Sequence, residues 1–170
     1  PAARHLIRSN NWKLILVPHE VSPPHIEGLQ SQINSLELAV HRFSKGPFHW
    51  EKTDVLLVDQ VGHLASLYRE ADVTFVGGSF RRQVHSVMEA LVSFKPVIVG
   101  PSYRNNREAI EFSKKGLVRV AQNAEDFQRL VETAFLQKSE IGLQIEKDLA
   151  PRLGATALLL SRLEAQGLLL

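Results

Sequence analysis

The sequence predicts a doubly wound α/β domain, with a mostly parallel sheet covered by helices on both faces. Two observations carry that expectation. Short runs that are apolar at every position recur along the chain, as strands buried on both faces require. Helical stripes separate most of these runs, and strand–helix alternation marks parallel crossovers.

"KLILVP" (13–18) reads as the first strand, stopped by proline. "HIEGLQSQI" then places Ile26, Leu29 and Ile33 on one helical face. "LELAVHRF" (36–43) fits either period; a strand is expected at 38–43. "VLLVD" (55–59) is the next strand. The helix after it, "VGHLASLYREA", gathers Val61, Leu64, Leu67, Tyr68 and Ala71 on one side. "VTFVGG" (73–78), "PVIVGP" (96–101) and "LVRVA" (117–121) bring the sheet to about six strands. A helix is expected over 84–94. Its wheel groups Val84, Val87, Met88 and Leu91 as the buried stripe and turns Arg82, His85, Ser86 and Glu89 the other way. "NAEDFQRLVETAF" opens on the N-cap Asn123 and carries Phe127, Leu130, Val131 and Ala134 inward. "KSEIGLQIEKDLAPRLG" (138–154) reads as loop, with Pro151 breaking any helix. "TALLLSRLEAQGLLL" (156–170) is apolar for a terminal helix; Leu158 to Leu160 and Leu163 are expected to pack on the domain or on a further half.

Composition narrows the classes of function. A chain of 170 residues with 44% apolar and 22% charged residues suits one globular domain, taken here as 1–170. It holds no apolar run of about 18 residues, and its first residues lack the pattern of a secretory signal. Zero cysteines exclude disulfides and thiolate metal sites and fit a reducing compartment. The net charge of +2 comes without the basic run that nucleic acid would need. The seven histidines are scattered, with no zinc-helix spacing, so neither a metal site nor a cofactor is expected.

Open α/β sheets bind ligands beyond the carboxyl ends of their strands, where strand order reverses. The ends in question are Pro18-His19-Glu20, Asp59-Gln60-Val61-Gly62, Gly77-Gly78-Ser79 and Gly100-Pro101-Ser102, all expected along one edge. Gly-Gly-Ser leading into a helix would let a phosphate approach the backbone and the first turn's free N–H groups. A glutamate one turn on, Glu89, could accept both hydrogens of a ribose diol. The plainer alternative stays open: glycines that only turn the chain, and a solvated helical face.

The stretch "LVDQVGHLASLYREADVTFVGGSF…VHSVMEALVSFKPVIVGPSYRNNREAIEF", with "KLILVPHEVSPPHIEGL" before it, resembles the C-terminal domain of the 3-deoxy-D-manno-octulosonic acid (Kdo) transferases. The likeness runs over about residues 13–135. Its most specific parts are Asp59-x-x-Gly62, Ala71-Asp72 and His85-x-x-x-Glu89. The resemblance implies the Rossmann-like C-terminal half of a GT-B glycosyltransferase, which binds the donor, CMP-Kdo. It implies that Glu89 holds the ribose hydroxyls and that Gly78 and Ser79, after Gly77, approach the phosphate. His19 would stand near that phosphate, where many relatives carry arginine. Gln60, Val61 and Gly62 would border the cytosine, and His85 and Ser86 complete the nucleotide site. Ser86 replaces a common asparagine, and Arg81-Arg82-Gln83 replaces a glycine-histidine element. The family's catalytic base is a glutamate of the N-terminal, acceptor-binding domain. The resemblance therefore implies a fragment that has no catalytic residue of its own and is inactive alone. The full protein would be cytoplasmic, peripheral to the inner face of the bacterial inner membrane, and would meet a lipid A precursor there. Two other readings stay open: a GT-B transferase or epimerase using a UDP-sugar, and a nucleotide-binding module without chemistry.

Overall fold

The computed structural model describes residues 2–81, 83–152 and 162–163. Helix α1 (Ala2–Asn10) precedes strand β1 (Leu14–Leu16). Helix α2 (Pro23–Ser35) leads to β2 (Val40–Arg42), and two short 3-10 turns lead to β3 (Val55–Leu57). Then come α3 (Leu64–Glu70), β4 (Thr74–Phe75), α4 (Met88–Leu91) and β5 (Val97–Val99). Helix α5 (Arg107–Lys114), β6 (Val118–Val120), α6 (Ala124–Leu136) and α7 (Lys138–Leu149) complete the order.

The strands are parallel throughout, in two sheets of three with orders β1-β3-β2 and β4-β5-β6. The single six-stranded sheet expected from the sequence is thus two half-sheets. The β4–β5 register pairs Thr74 with Val97, in parallel, so the segment between them is a crossover. Strand β4 is two residues long, and its backbone bonds run to β5 and its flanks, with Thr74 N–H to Pro96 and Val76 N–H to Ile98. The halves touch at both ends of β1. Trp12, just before it, packs on Phe135 of α6 at 4.8 Å, and His19, just after it, stacks on His85.

Burial follows the period of two. In β5, Val97 and Val99 face a core built from Val87, Leu91, Phe112, Ile141, Ile145 and Leu149, with α4, α5 and α7 supplying the cover. Ile98 between them faces Ala121, Ala134, Phe127 and Leu130, on the side of α6. Covering both faces is what makes the run uniformly apolar; each such side chain contributes about 1.5–3 kcal/mol. In the other half-sheet, Val55 packs with Ile7 of α1, Ile33 of α2 and Leu14, Leu16 and Val40.

Two further sequence expectations fail, besides that of Val61, which lies exposed ahead of α3 rather than on its inward face. Residues 138–149 form a helix, although they read as loop. Ile141, Ile145 and Leu149 recur every four residues and are buried, and Gly142 lets the helix lie against the Phe94 carbonyl. A β-carbon at Gly142 would come within 2.7 Å of that oxygen. Pro151 does end the helix, in a 3-10 turn at Ala150–Arg152. The second failure is the helix over 84–94, of which only Met88–Leu91 forms. Residues 83–86 are non-helical because Val84 is held elsewhere. Its N–H donates to the Ser102 carbonyl at 3.1 Å, and its carbonyl accepts from Asn105 Nδ2 at 2.9 Å. Most of the tail expected at 156–170, with Leu158 to Leu160, lies outside the described residues, as does Arg82.

Candidate functional site

The carboxyl edge of the two half-sheets carries the expected residues. After β4, Gly77 has open space about it, whereas Gly78 adopts φ +87°. A β-carbon on Gly78 would meet the Gln83 carbonyl at 2.3 Å and the His85 ring at 3.4 Å. Glycine is therefore required at 78 by the chain's own packing, whatever binds beside it. Ser79 is fully buried, and its hydroxyl is spent inside the fold: it accepts from the Gly100 N–H at 2.6 Å and faces the Val76 carbonyl at 3.4 Å. The Ser79 side chain ties the ends of β4 and β5 together, which leaves only backbone there to meet a ligand.

The described residues after Ser79 form a turn and then a non-helical strap, so no helix begins at the Gly-Gly-Ser corner. The strap holds His85 instead. Asn105 and Ser102 fix Val84, and the Asn106 amide reaches the His85 carbonyl at 3.5 Å. The His85 ring stacks on that of His19, with centroids 5.0 Å apart and planes 14° from parallel. Both histidines are exposed, as are Ser86 and Glu89. Glu20, beside His19, accepts a hydrogen bond from Ser22. The structure thus brings His19, Gly78 and His85 into one cluster across the junction of the half-sheets.

Glu89 lies one helical residue into α4, facing away from buried Val87 and Leu91. The Tyr68 phenol of α3 lies near enough for the Glu89 carboxylate to matter: burial first, and that charge second, push its pKa up. Tyr68 thus stays a neutral hydrogen-bond donor at neutral pH. It was read from the sequence as packing alone.

At the end of β3, Asp59 anchors rather than binds. Its carboxylate accepts from Arg42 Nε at 2.9 Å, from the Ser44 N–H at 2.8 Å and from the Ser44 hydroxyl at 2.5 Å. Burial pushes its pKa up, but the two Ser44 bonds and Arg42 outweigh that and hold it at about 2, down from 3.8. The turn that follows, Gln60-Val61-Gly62, is exposed; Val61 is 76% accessible, and Gly62 has φ +92°. It leads directly into α3, which packs on α4 and so links the turn to Glu89.

Asn105 and Asn106, which set the strap, were missed in the sequence. Asn106 also caps α5 by accepting from the Ala109 N–H at 2.7 Å, and an asparagine before a helical run is a legible signal for that. A shallow depression at the start of α6, lined by Asn123, Glu125, Asp126, Arg129 and Glu132, is dominated by carboxylates and does not suit a phosphate. Among the described residues, no three or more His, Cys, Asp or Glu side chains are grouped to hold a metal ion.

No protein-family model matches this sequence. A bifunctional glycosyltransferase/methyltransferase of Fusobacterium nucleatum is 30% identical over 135 residues, spanning 78% of this chain and 21% of that protein. A 3-deoxy-D-manno-octulosonic acid transferase of Chlamydia muridarum is 31% identical over 133 residues, 74% of this chain and 30% of the relative. The chain thus spans less than a third of either relative. In three dimensions it matches the C-terminal CMP-Kdo binding domain of WaaA from Acinetobacter baumannii, with a TM-score of 0.76 and 25% identity over 88% of this chain and 83% of that one. The chain belongs with the Kdo transferases, as the counterpart of their C-terminal domain.

Proposed function

We propose that this chain is the donor-binding half of a glycosyltransferase that moves Kdo from CMP-Kdo to a lipid A precursor. The observation that carries the reading is the fold match, over most of both chains, to a domain described as CMP-Kdo binding. In the proposed reaction an acceptor hydroxyl attacks the anomeric carbon of Kdo and the bond to the phosphate oxygen breaks. CMP leaves with that electron pair, and a base outside this chain takes the hydroxyl proton. This half orients the donor and stabilises the departing phosphate.

The residues take these places in the proposal. Glu89 accepts from the ribose hydroxyls. His19 and His85 flank the phosphate, with the backbone of Gly77, Gly78 and Ser79 beneath it and Ser86 beside it. Gln60, Val61 and Gly62 border the cytosine, where exposed Val61 offers an apolar surface to the base. No described helix is long and apolar enough to cross a membrane. The full protein, in this reading, works peripherally at the cytoplasmic face of the inner membrane, where its acceptor lies.

Calorimetric titration with CMP, UDP and GDP tests the donor assignment. Binding of CMP with little or none of the others is expected. Preference for UDP would move the chain to a different donor, and no binding by any of them would leave a module without this chemistry.

A further inference from the structure

We propose that Arg81 reads the sugar of the donor, by pairing its guanidinium with the carboxylate that an octulosonic acid carries on its anomeric carbon. The inference rests on the nucleotide-site reading above and goes beyond it, to what distinguishes an acidic sugar from a neutral one.

Position is the first observation. The Arg81 N–H donates to the Gly78 carbonyl at 3.1 Å, which closes a tight turn at the Gly-Gly-Ser corner. The α-carbons at the two ends of such a turn lie within about 7 Å of each other. Gly78 is also where the corner meets the strap: a β-carbon there would lie 3.4 Å from the His85 ring. Arg81 therefore starts within one side-chain length of the corner backbone and of His85.

Availability is the second. Arg42, Arg129 and Arg152 are committed to the carboxylates of Asp59, Asp126 and Glu111. Arg81 is exposed, and its side chain pairs with no carboxylate among the described residues. Only its backbone N–H has a place in the turn.

The chemistry of the ligand joins the two. In the donor, the carbon bonded to the phosphate oxygen also bears the carboxylate of the sugar. Two anionic groups then stand side by side, where a neutral sugar would present one. With the phosphate on the corner backbone and His85, the carboxylate beside it calls for a cation at the end of the turn. A guanidinium suits that partner, because its planar fork meets both carboxylate oxygens at once. The competing cation is Arg104, exposed on the turn whose Asn105 holds Val84.

Calorimetric titration of this chain with CMP-Kdo and with the methyl ester of CMP tests the assignment. Both ligands carry one charge on a phosphodiester, and only the first adds a carboxylate. Arg81→Gln should weaken CMP-Kdo about tenfold and change the methyl ester by less than about twofold, with the melting temperature unmoved. Arg81→Lys, which keeps the charge and loses the fork, should fall between Arg81→Gln and the unsubstituted chain. Equal weakening of both ligands by Arg81→Gln would give Arg81 to the phosphate and overturn the proposal, and so would no change in either. Selective loss of CMP-Kdo in Arg104→Gln, with Arg81→Gln unaffected, overturns it as well. If the unsubstituted chain binds neither ligand, the nucleotide site fails and this inference fails with it.

Discussion

Glu89 and Gly78 separate what the proposed site asks of binding from what this edge needs for folding. The Glu89 carboxylate is exposed and has no ion-pair partner among the described residues, so its charge is free for a ligand. Glu89→Gln should weaken CMP binding by roughly ten- to a hundredfold, the equivalent of about 1.5–3 kcal/mol for a charge-assisted bond, while shifting unliganded stability by no more than about 0.5 kcal/mol. Calorimetry and melting curves on both proteins check this. Gly78→Ala should do the reverse. At φ +87° and 2.3 Å from the Gln83 carbonyl, the added methyl should cost about 2–4 kcal/mol of folding stability by urea denaturation, before any ligand is present. Asp59 has a pH signature. Its pKa is depressed on folding, so its contribution is complete above 3.8 and is lost as pH falls toward about 2. With Asp59 buried but its Arg42 partner partly exposed, about 1–2 kcal/mol is at stake. Asp59→Asn should lower stability at neutral pH and make the acid limb of a stability–pH curve shallower. An unchanged acid limb would mean that the Arg42 and Ser44 bonds contribute nothing.

The elements differ in how plainly they could be read. Strands β3 and β5 were plain because they are buried on both faces, and a run with no polar member admits few other structures. Even the ambiguous segment 38–43 yielded β2 at Val40–Arg42. Helix α7 was not plain, because its buried face is narrow and its glycine counts against a helix. That glycine gives a test of element packing. In an isolated helix, Gly→Ala adds about 1 kcal/mol of stability. Here Gly142→Ala drives a methyl toward the Phe94 carbonyl and should destabilise instead, by about 1–3 kcal/mol in equilibrium unfolding. The strap at 83–86 was illegible for another reason. Its apolar spacing is helical, but the bonds of Val84 go to Ser102 and Asn105, about twenty residues away, and such tertiary competition leaves no local mark. The strand ends were therefore legible while the structure that carries the candidate residues was misread: His85 and Ser86 sit on a strap, Glu89 on a short helix, and the Ser79 hydroxyl inside.

At the scale of the whole molecule, two parallel half-sheets touch through His19 and His85, and these exposed histidines mark the junction from both sides. Periodicity predicted the alternation and the shared edge. It did not predict that the strands would pair as two half-sheets, because a two-residue β4 bonded to β5 and its flanks carries no sign of it in the sequence. The account's central claim is that this junction, rather than any other surface, receives the nucleotide. Amide chemical-shift mapping with a ¹⁵N-labelled chain and CMP tests that claim most directly. The account predicts that the largest shifts fall at His19 and Glu20, at 60–62, at 77–86 and at Glu89, with the depression at 122–132 unmoved. Shifts centred on 122–132, or CMP bound with the signals of His19, Gly78 and His85 unchanged, would contradict it.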